Sequence, residues 1–380
     1  MKWSWRVGTI AGIGIHIHAT FTLLIAWVLF AHLFGGDTLA GAASGLAFVM
    51  AIFGCVLLHE LGHALAARRY GIGTRDITLL PIGGVARLER MPDKPRQELW
   101  VALAGPAVNV VIAAGLLVWL YATRQLVPLS QLGVVTGPFA ERLMAVNLLL
   151  VVFNMLPAFP MDGGRVLRAL LAMRLPYARA TRIAATVGQA LAVGFVVLGL
   201  FANPFLMLIG VFVWLGAAQE ARYAAIKAAL RGVPLHAAWT RDIPLLAPAD
   251  ALAGAARAIG TSPVQSGLVV REGQVVGTLG IGELLEHLRL RGPATPVSEV
   301  MQPAPRALEL PTTLDVALTR LQEAGVPLVP VLSEGRLVGV VTLELLEQFV
   351  AIQSAMQQYG SREAAGAARS LAVARPIRSA

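Results

Sequence analysis

The chain has 380 residues, of which 56% are hydrophobic and only 14% charged, with a mean hydropathy of +0.68 and a formal net charge of +9. A balance this apolar excludes an ordinary soluble domain and points to a membrane protein. The single cysteine, Cys55, excludes an internal disulfide and a cysteine-built zinc ribbon.

Apolar runs of about 20 residues, the length that crosses a hydrocarbon core, fall near 18–35, 42–66, 99–122, 139–156, 183–202 and 204–219. They predict a polytopic α-helical membrane protein with about six transmembrane helices. Residues 1–17 form an amphipathic lead-in. His16 and His18 stand where it meets the first run, with an interfacial hydrogen-bonding role expected. No small-residue cleavage site follows that run, so it is expected to be a retained span. Segment 72–92 is β-prone and punctuated by glycine, which predicts a short hairpin or meander between the second and third spans. Backbone of that kind at membrane depth must be sheltered by protein or by a water cavity.

After about residue 232 the long runs stop, and short Val/Leu-rich stretches alternate with helical ones, as in a soluble α/β region. The stretches from Gly267 and from Pro327 resemble each other. Each is strand, tight turn and strand, followed by a helix-prone run at 283–290 or 343–352. That order, repeated after about 60 residues, predicts a duplicated βαββα unit. The tail 353–380 is rich in Ala, Ser and Arg without a sustained apolar face, and disorder is expected there.

The basic excess is placed as a membrane protein places it. Lys2 and Arg6 precede the first span; Arg68, Arg69, Arg75, Arg87 and Arg90 follow the second; Arg165, Arg168, Arg174, Arg179 and Arg182 lie between the fourth and fifth. With six alternating spans all of these share one side, which the positive-inside rule makes the cytoplasm. Both termini and the soluble C-terminal part are then cytoplasmic, in a multi-pass protein of the cell membrane. No nucleic-acid partner is needed to explain the charge.

The second run ends Cys55-Val-Leu-Leu-His59-Glu60-Leu-Gly-His63. Positions i and i+4 share a helix face, so His59 and His63 can offer two imidazoles to one zinc ion, with Glu60 beside them as general base. Ionisable groups crowded into one turn of an apolar span are costly there, which marks them as functional. A catalytic zinc takes three protein ligands and a water. The best third candidate is Asp162, in Asn154-Met-Leu-Pro-Ala-Phe-Pro-Met-Asp162-Gly-Gly-Arg165, where two prolines and a glycine pair are expected to break the helix and turn the carboxylate inward. The competing reading is an Asx-type turn before a helix at 164–174. Cys55 shares the His59 face but reads as a small buried thiol, not a ligand.

The two motifs together resemble the site-2 protease family of intramembrane metalloproteases. The zincin motif matches His59-Glu60-Leu-Gly-His63, and the Asn/Pro/Pro/Asp-Gly motif matches Asn154, Pro157, Pro160, Asp162 and Gly163. Similarity extends to Pro81-Ile-Gly-Gly-Val-Ala-Arg-Leu-Glu and to Ala104-Gly-Pro-Ala-Val-Asn109. The resemblance implies one zinc ion per chain held by His59, His63 and Asp162, with Glu60 as catalytic acid/base. It also implies cleavage of membrane-protein substrates in the bilayer, single-span or signal-peptide-like helices among them. Asn154 and Asn109 are the candidate oxyanion donors, with interhelical hydrogen bonding as the competing role. The strand-prone stretch at Gly83 and Gly84 offers an edge for an extended substrate, or else a turn that only closes the cavity.

The duplicated unit resembles a tandem pair of cystathionine-β-synthase (CBS) domains, at 238–295 and 296–352, joined through a linker at 223–237 to a protease domain at 1–222. The resemblance implies a cytoplasmic sensor, homodimer contacts and an adenine nucleotide between the repeats. The ribose-binding pattern is altered, with Glu283 in the Asp place of the first repeat and Glu344 one position early in the second, so a role without nucleotide stands beside it. Two rivals remain: a transporter gated by the CBS pair, and a noncatalytic scaffold with structural zinc. The first would spread ionisable groups along a midplane pathway, and the second has no use for Glu60.

Overall fold

The computed structural model describes residues 3–356 apart from 37, 82, 93, 125–132, 134–136 and 354. The chain divides into two compact units, Met1–Ala224 and Ala225–Ala380.

The first unit holds helices α1 (Thr20–Phe34), α2 (Leu39–Arg68), α3 (Pro95–Ala122), α4 (Phe139–Asn154), α5 (Asp162–Ala172), α6 (Tyr177–Phe201) and most of α7 (Pro204–Leu230). Every apolar run read from the sequence is helical. Four of these helices, α2, α3, α6 and α7, are long and apolar enough to cross a membrane, and only 17–33% of their most apolar windows is buried within the protein. The remaining apolar surface, including Val111, Val118, Phe205 and Leu208, faces outward, as a lipid solvent requires. The runs at 18–35 and 139–156 give the shorter α1 and α4, of 15 and 16 residues. Helix α7 continues through 223–230, where a linker was expected.

Helix α2 is the axis of the unit. Thr38 caps it, its hydroxyl accepting from Gly41 N at 3.1 Å, and it packs against α1, α3 and α4. A four-stranded sheet, in the order β1 (Ser4–Ile10), β2 (Ile13–His18), β3 (Thr74–Leu80), β4 (Gly83–Leu88), lies on its second half. Ile13, Ile15 and Ile77 meet Leu61 and Ala64 there. The hairpin expected in 72–92 is β3 and β4; the lead-in, not read as strands, is β1 and β2. Only β2 and β3 run parallel, joined by the long crossover through α1 and α2. Asp76 of β3 is bound by Arg87 of β4 and accepts from the Thr78 hydroxyl at 3.3 Å. Burial pushes the Asp76 carboxyl up, but Arg87 and Thr78 outweigh it and hold it below the usual carboxylate range. The pair therefore ties β3 to β4 at neutral pH and is lost only as acid protonates Asp76 at that lowered value.

Arg168, counted above among the cytoplasmic cations, is 2% exposed. From α5 its Nε donates to Glu98 Oε1 of α3 at 2.7 Å, and its Nη1 reaches Glu220 of α7 at 3.3 Å. The guanidinium also lies over the rings of Phe159 and Tyr177.

The second unit repeats one pattern twice. The sets are β5 (Leu245–Leu246), α8 (Leu252–Gly260), β6 (Ser266–Arg271), β7 (Gln274–Gly280), α9 (Ile281–Arg291), and, after β8 (Gln302–Pro303), β9 (Leu308–Glu309), α10 (Leu314–Ala324), β10 (Leu328–Ser333), β11 (Arg336–Thr342) and a helix at 343–353. In each, the first strand pairs parallel to the second and the hairpin turns on Glu-Gly, both residues at positive φ. Each hairpin has a bulge at the same place, Val269/Val270 and Val331/Leu332. Leu268, Leu328 and Val340 form a core between the two sheets. The tail beyond 356 lies outside the described residues.

Removing Arg168 leaves Glu98, 1% exposed, as an uncompensated buried charge. Arg168→Ala is expected to cost about 3–5 kcal/mol of stability, and adding Glu98→Gln to recover a large part of it. Thermal unfolding of the purified protein in detergent checks both.

Candidate metal centre

The final turns of α2 carry His59 and His63, both buried, on the face toward α3 and α5. Their Nε2 atoms are 3.1 Å apart, and each lies 3.1 Å from Oδ2 of Asp162. Three ligand atoms with equal separations are what one small cation needs. In tetrahedral zinc sites with bonds of about 2.0–2.1 Å, donor atoms lie about 3.3 Å apart, so the triangle closes on zinc with little adjustment. Among the described residues this is the only cluster of three or more His, Cys, Asp or Glu side chains with ligand atoms so close together. Without a cation, a carboxylate and two imidazoles at this spacing would sit buried among apolar helices.

Both imidazoles are held from behind. His63 Nδ1 is 2.7 Å from the backbone oxygen of Val101, and His59 Nδ1 is 2.5 Å from Asn109 Oδ1. An acceptor at Nδ1 keeps the proton there and leaves Nε2 free for a metal. Both acceptors belong to α3, which passes over the site at Gly105. A Cβ on Gly105 would lie 2.2 Å from His63 Nε2 and 2.7 Å from His59 Nε2. Glycine is thus a space requirement of the centre.

Asp162 arrives differently from the expectation. Asp162, Gly163 and Gly164 already form the first turn of α5, and the reversal is made by residues 155–161. The glycines let that turn press onto the 155–159 backbone, since a Cβ on Gly163 would lie 2.2 Å from Leu156 O. The Asx-turn reading of Asp162 gives way here, because its carboxylate faces the two histidines across the bundle.

Beside the triangle lies a cavity of about 300 Å³ lined by residues that include His59, Glu60, Gly83, Gly84, Asn154 and Phe212. Glu60 Oε2 accepts from the backbone N–H of Ala86 in β4 at 3.0 Å. Strand β4 can come this close because position 84 lacks a side chain: a Cβ there would lie 2.7 Å from Glu60 Cγ. Gly83 itself has φ of 137°, a conformation that favours glycine. Asn154, which lines the cavity, donates one hydrogen of its amide to Leu150 O at 3.0 Å, and a primary amide carries two.

Asn109 is not on the cavity wall. Its oxygen is taken by His59 and its Nδ2 donates to Asn147 Oδ1 at 2.8 Å, so the structure corrects its expected place as an oxyanion donor. Neither His16 nor Cys55 joins the metal cluster, and His18 Nδ1 lies 2.8 Å from the Thr20 hydroxyl. Gly105, Asn147 and Ala86 were not singled out from the sequence. For Gly105 the signal was present in Ala104-Gly-Pro-Ala-Val-Asn109, where a small residue precedes a proline in a span.

Comparison with known proteins identifies the family. The family model for peptidase family M50 matches residues 47–195, and that for the CBS domain matches 297–347. Zinc metalloprotease MJ0392 of Methanocaldococcus jannaschii is 33% identical over 285 residues, 75% of this chain and 80% of that one. Rip3 of Mycobacterium tuberculosis is 30% identical over 369 residues, 88% of this chain and 90% of its own. Among solved structures, the site-2 protease from Methanocaldococcus jannaschii shares 37% identity and covers 58% of this chain and 96% of that one, with a TM-score of 0.43. The chain belongs to peptidase family M50, the site-2 proteases, as a multi-pass membrane zinc metalloprotease with a C-terminal CBS domain.

Proposed function

We propose that the protein cuts single-span or signal-peptide-like membrane helices, with His59, His63 and Asp162 holding the zinc and Glu60 moving the protons. The observation that carries this is the 3.1 Å triangle of Nε2, Nε2 and Oδ2 opening beside a cavity that also holds Glu60 and Asn154. Zinc supplies Lewis acidity, which favours ionisation of a water and polarises a peptide carbonyl. Glu60, adjacent in sequence to His59 but not part of the ligand triangle, takes the proton from the attacking water and returns one to the leaving amine. Asn154, with an amide hydrogen to spare, donates to the developing oxyanion. The same residues argue against a structural zinc, since neither Glu60 nor an open cavity is required to hold one.

The substrate must reach this site unwound, because a helix hides its peptide bonds. Strand β4 ends the sheet. Backbone groups alternate along a strand, so Gly84 presents N–H and C=O on the same free edge as Ala86, whose N–H meets Glu60. An extended substrate pairing with Gly84, and passing close to Gly83, would lay its scissile bond along the wall of the cavity. The basic residues that flank the spans support cytoplasmic termini. Residues 1–222 act as the protease domain, and 238–295 and 296–352 as a cytoplasmic CBS pair. Glu283, in the place of a ribose-binding carboxylate, is engaged by Gln302 at 2.8 Å, and Trp239 covers Gly339. These contacts occupy positions that an adenine nucleotide would need and so argue against its capture, while a homodimer through the CBS pair is proposed from the family resemblance alone.

Glu60→Gln is expected to lower kcat by about a hundred- to ten-thousand-fold while zinc stays bound. Asp162→Asn is expected to lose the zinc. Cleavage of single-span peptides by purified protein, with zinc measured by elemental analysis, checks the pair. Two glycine variants separate metal from chemistry. Gly105→Ala crowds both Nε2 atoms and is expected to empty the site. Gly84→Ala displaces Glu60 and is expected to keep zinc while losing activity by about a hundredfold. The same two assays decide, and zinc retained in Gly105→Ala at the wild-type level would contradict the close approach of α3.

A further inference from the structure

Behind His59 runs a line of buried side-chain amides that crosses three helices. His59 Nδ1 on α2 meets Asn109 Oδ1 on α3 at 2.5 Å, and Asn109 Nδ2 donates to Asn147 Oδ1 on α4 at 2.8 Å. Asn147 Nδ2 in turn donates to the backbone oxygen of Leu143 at 2.8 Å and to Cys55 Sγ at 3.4 Å. Asn109 and Asn147 are both 0% exposed, so water cannot stand in for a missing partner.

The line has only one consistent polarity, and its far end sets it. A backbone carbonyl accepts and never donates, so the Asn147 side that faces Leu143 O must be the NH2 group. That turns Asn147 Oδ1 toward Asn109, which must then offer its own NH2. The oxygen of Asn109 is left facing His59, whose Nδ1 must therefore carry the hydrogen. Reversing any one amide would set two acceptors or two donors against each other in a buried site, at a cost of a few kcal/mol. With hydrogen on Nδ1, the lone pair of His59 lies on Nε2, where the metal triangle needs it. His63 needs no such line, because the Val101 carbonyl meets its Nδ1 directly.

We infer that Asn147 is a positioning residue: through Asn109 it fixes the tautomer of His59, and with it the affinity of the centre for zinc. This rests on the zinc reading of His59, His63 and Asp162. It gives α4, which supplies no ligand, a part in metal retention.

The test uses the full chain in detergent, comparing wild type with Asn147→Leu, Asn109→Leu and the double variant. Two quantities are read: the zinc dissociation constant by competition with a chelator, and the visible absorption of the cobalt-substituted protein. Asn147→Leu frees the Asn109 amide to turn, and is expected to weaken zinc binding about 10- to 100-fold and shift the cobalt bands. The double variant is expected to bind zinc no more weakly than Asn109→Leu alone, because Asn147 acts only through Asn109. If Asn147→Leu fails to fold, Asn147→Ser serves. Its hydroxyl bonds the Leu143 carbonyl one turn back but is too short to reach Asn109, and the same loss is expected. Folded Asn147 variants that bind zinc as tightly as wild type, with unchanged cobalt bands, would overturn the inference and leave the zinc reading standing. Losses that add in the double variant would also overturn it, since Asn147 would then act by packing alone. A wild type that holds no zinc would remove the zinc reading itself.

Discussion

The structure is organised around one electrostatic demand. Two imidazole nitrogens and a carboxylate oxygen converge at 3.1 Å among apolar helices, where neither charge nor lone pairs can be left uncompensated. A bound cation meets that demand, and the surrounding parts keep the ligands aimed. Helix α3 supplies both Nδ1 acceptors and the missing side chain at Gly105. The first turn of α5 brings Asp162 across. The buried link from Arg168 to Glu98 and Glu220 ties α5 to α3 and α7, so the carboxylate and the histidine supports belong to one framework.

The same framework separates holding the metal from using it. The ligands and their hydrogen-bond partners lie on α2, α3, α4 and α5, all helical. Glu60 faces the other way, toward strand β4, and its carboxylate is held by the Ala86 backbone N–H. The proposed general base is thereby coupled to β4, the edge strand of the sheet. In the proposed reading, an extended substrate on that edge would meet the proton acceptor on one wall of the cavity, the arrangement peptide hydrolysis requires.

How much was legible in the sequence follows from how local each signal is. His59, Glu60 and His63 could be read because one helical turn sets their geometry. Asp162 could be read because its break between helices is written in prolines, although the glycines proved to begin α5, not to interrupt it. The repeat of the second unit could be read from its Glu-Gly turns. What escaped depends on contacts between distant segments. Asn109 looks the same in sequence whether it faces an oxyanion or a histidine, and only the packing of α3 on α2 decides. Asn147 was passed over for the same reason. Arg168 was counted as a loop cation because its partners lie 70 and 52 residues away. Strand β1 escaped because most of it is exposed, with Trp5 and Val7 outward, and it lacks the half-buried alternation that marks a strand.

The most direct test of the account is X-ray absorption at the zinc edge on the purified full chain. The account predicts one zinc per chain with nitrogen and oxygen neighbours only, at about 2.0–2.1 Å, two of them imidazole. A sulfur neighbour at about 2.3 Å, which only Cys55 or a methionine could provide, or protein that retains no zinc, would contradict it.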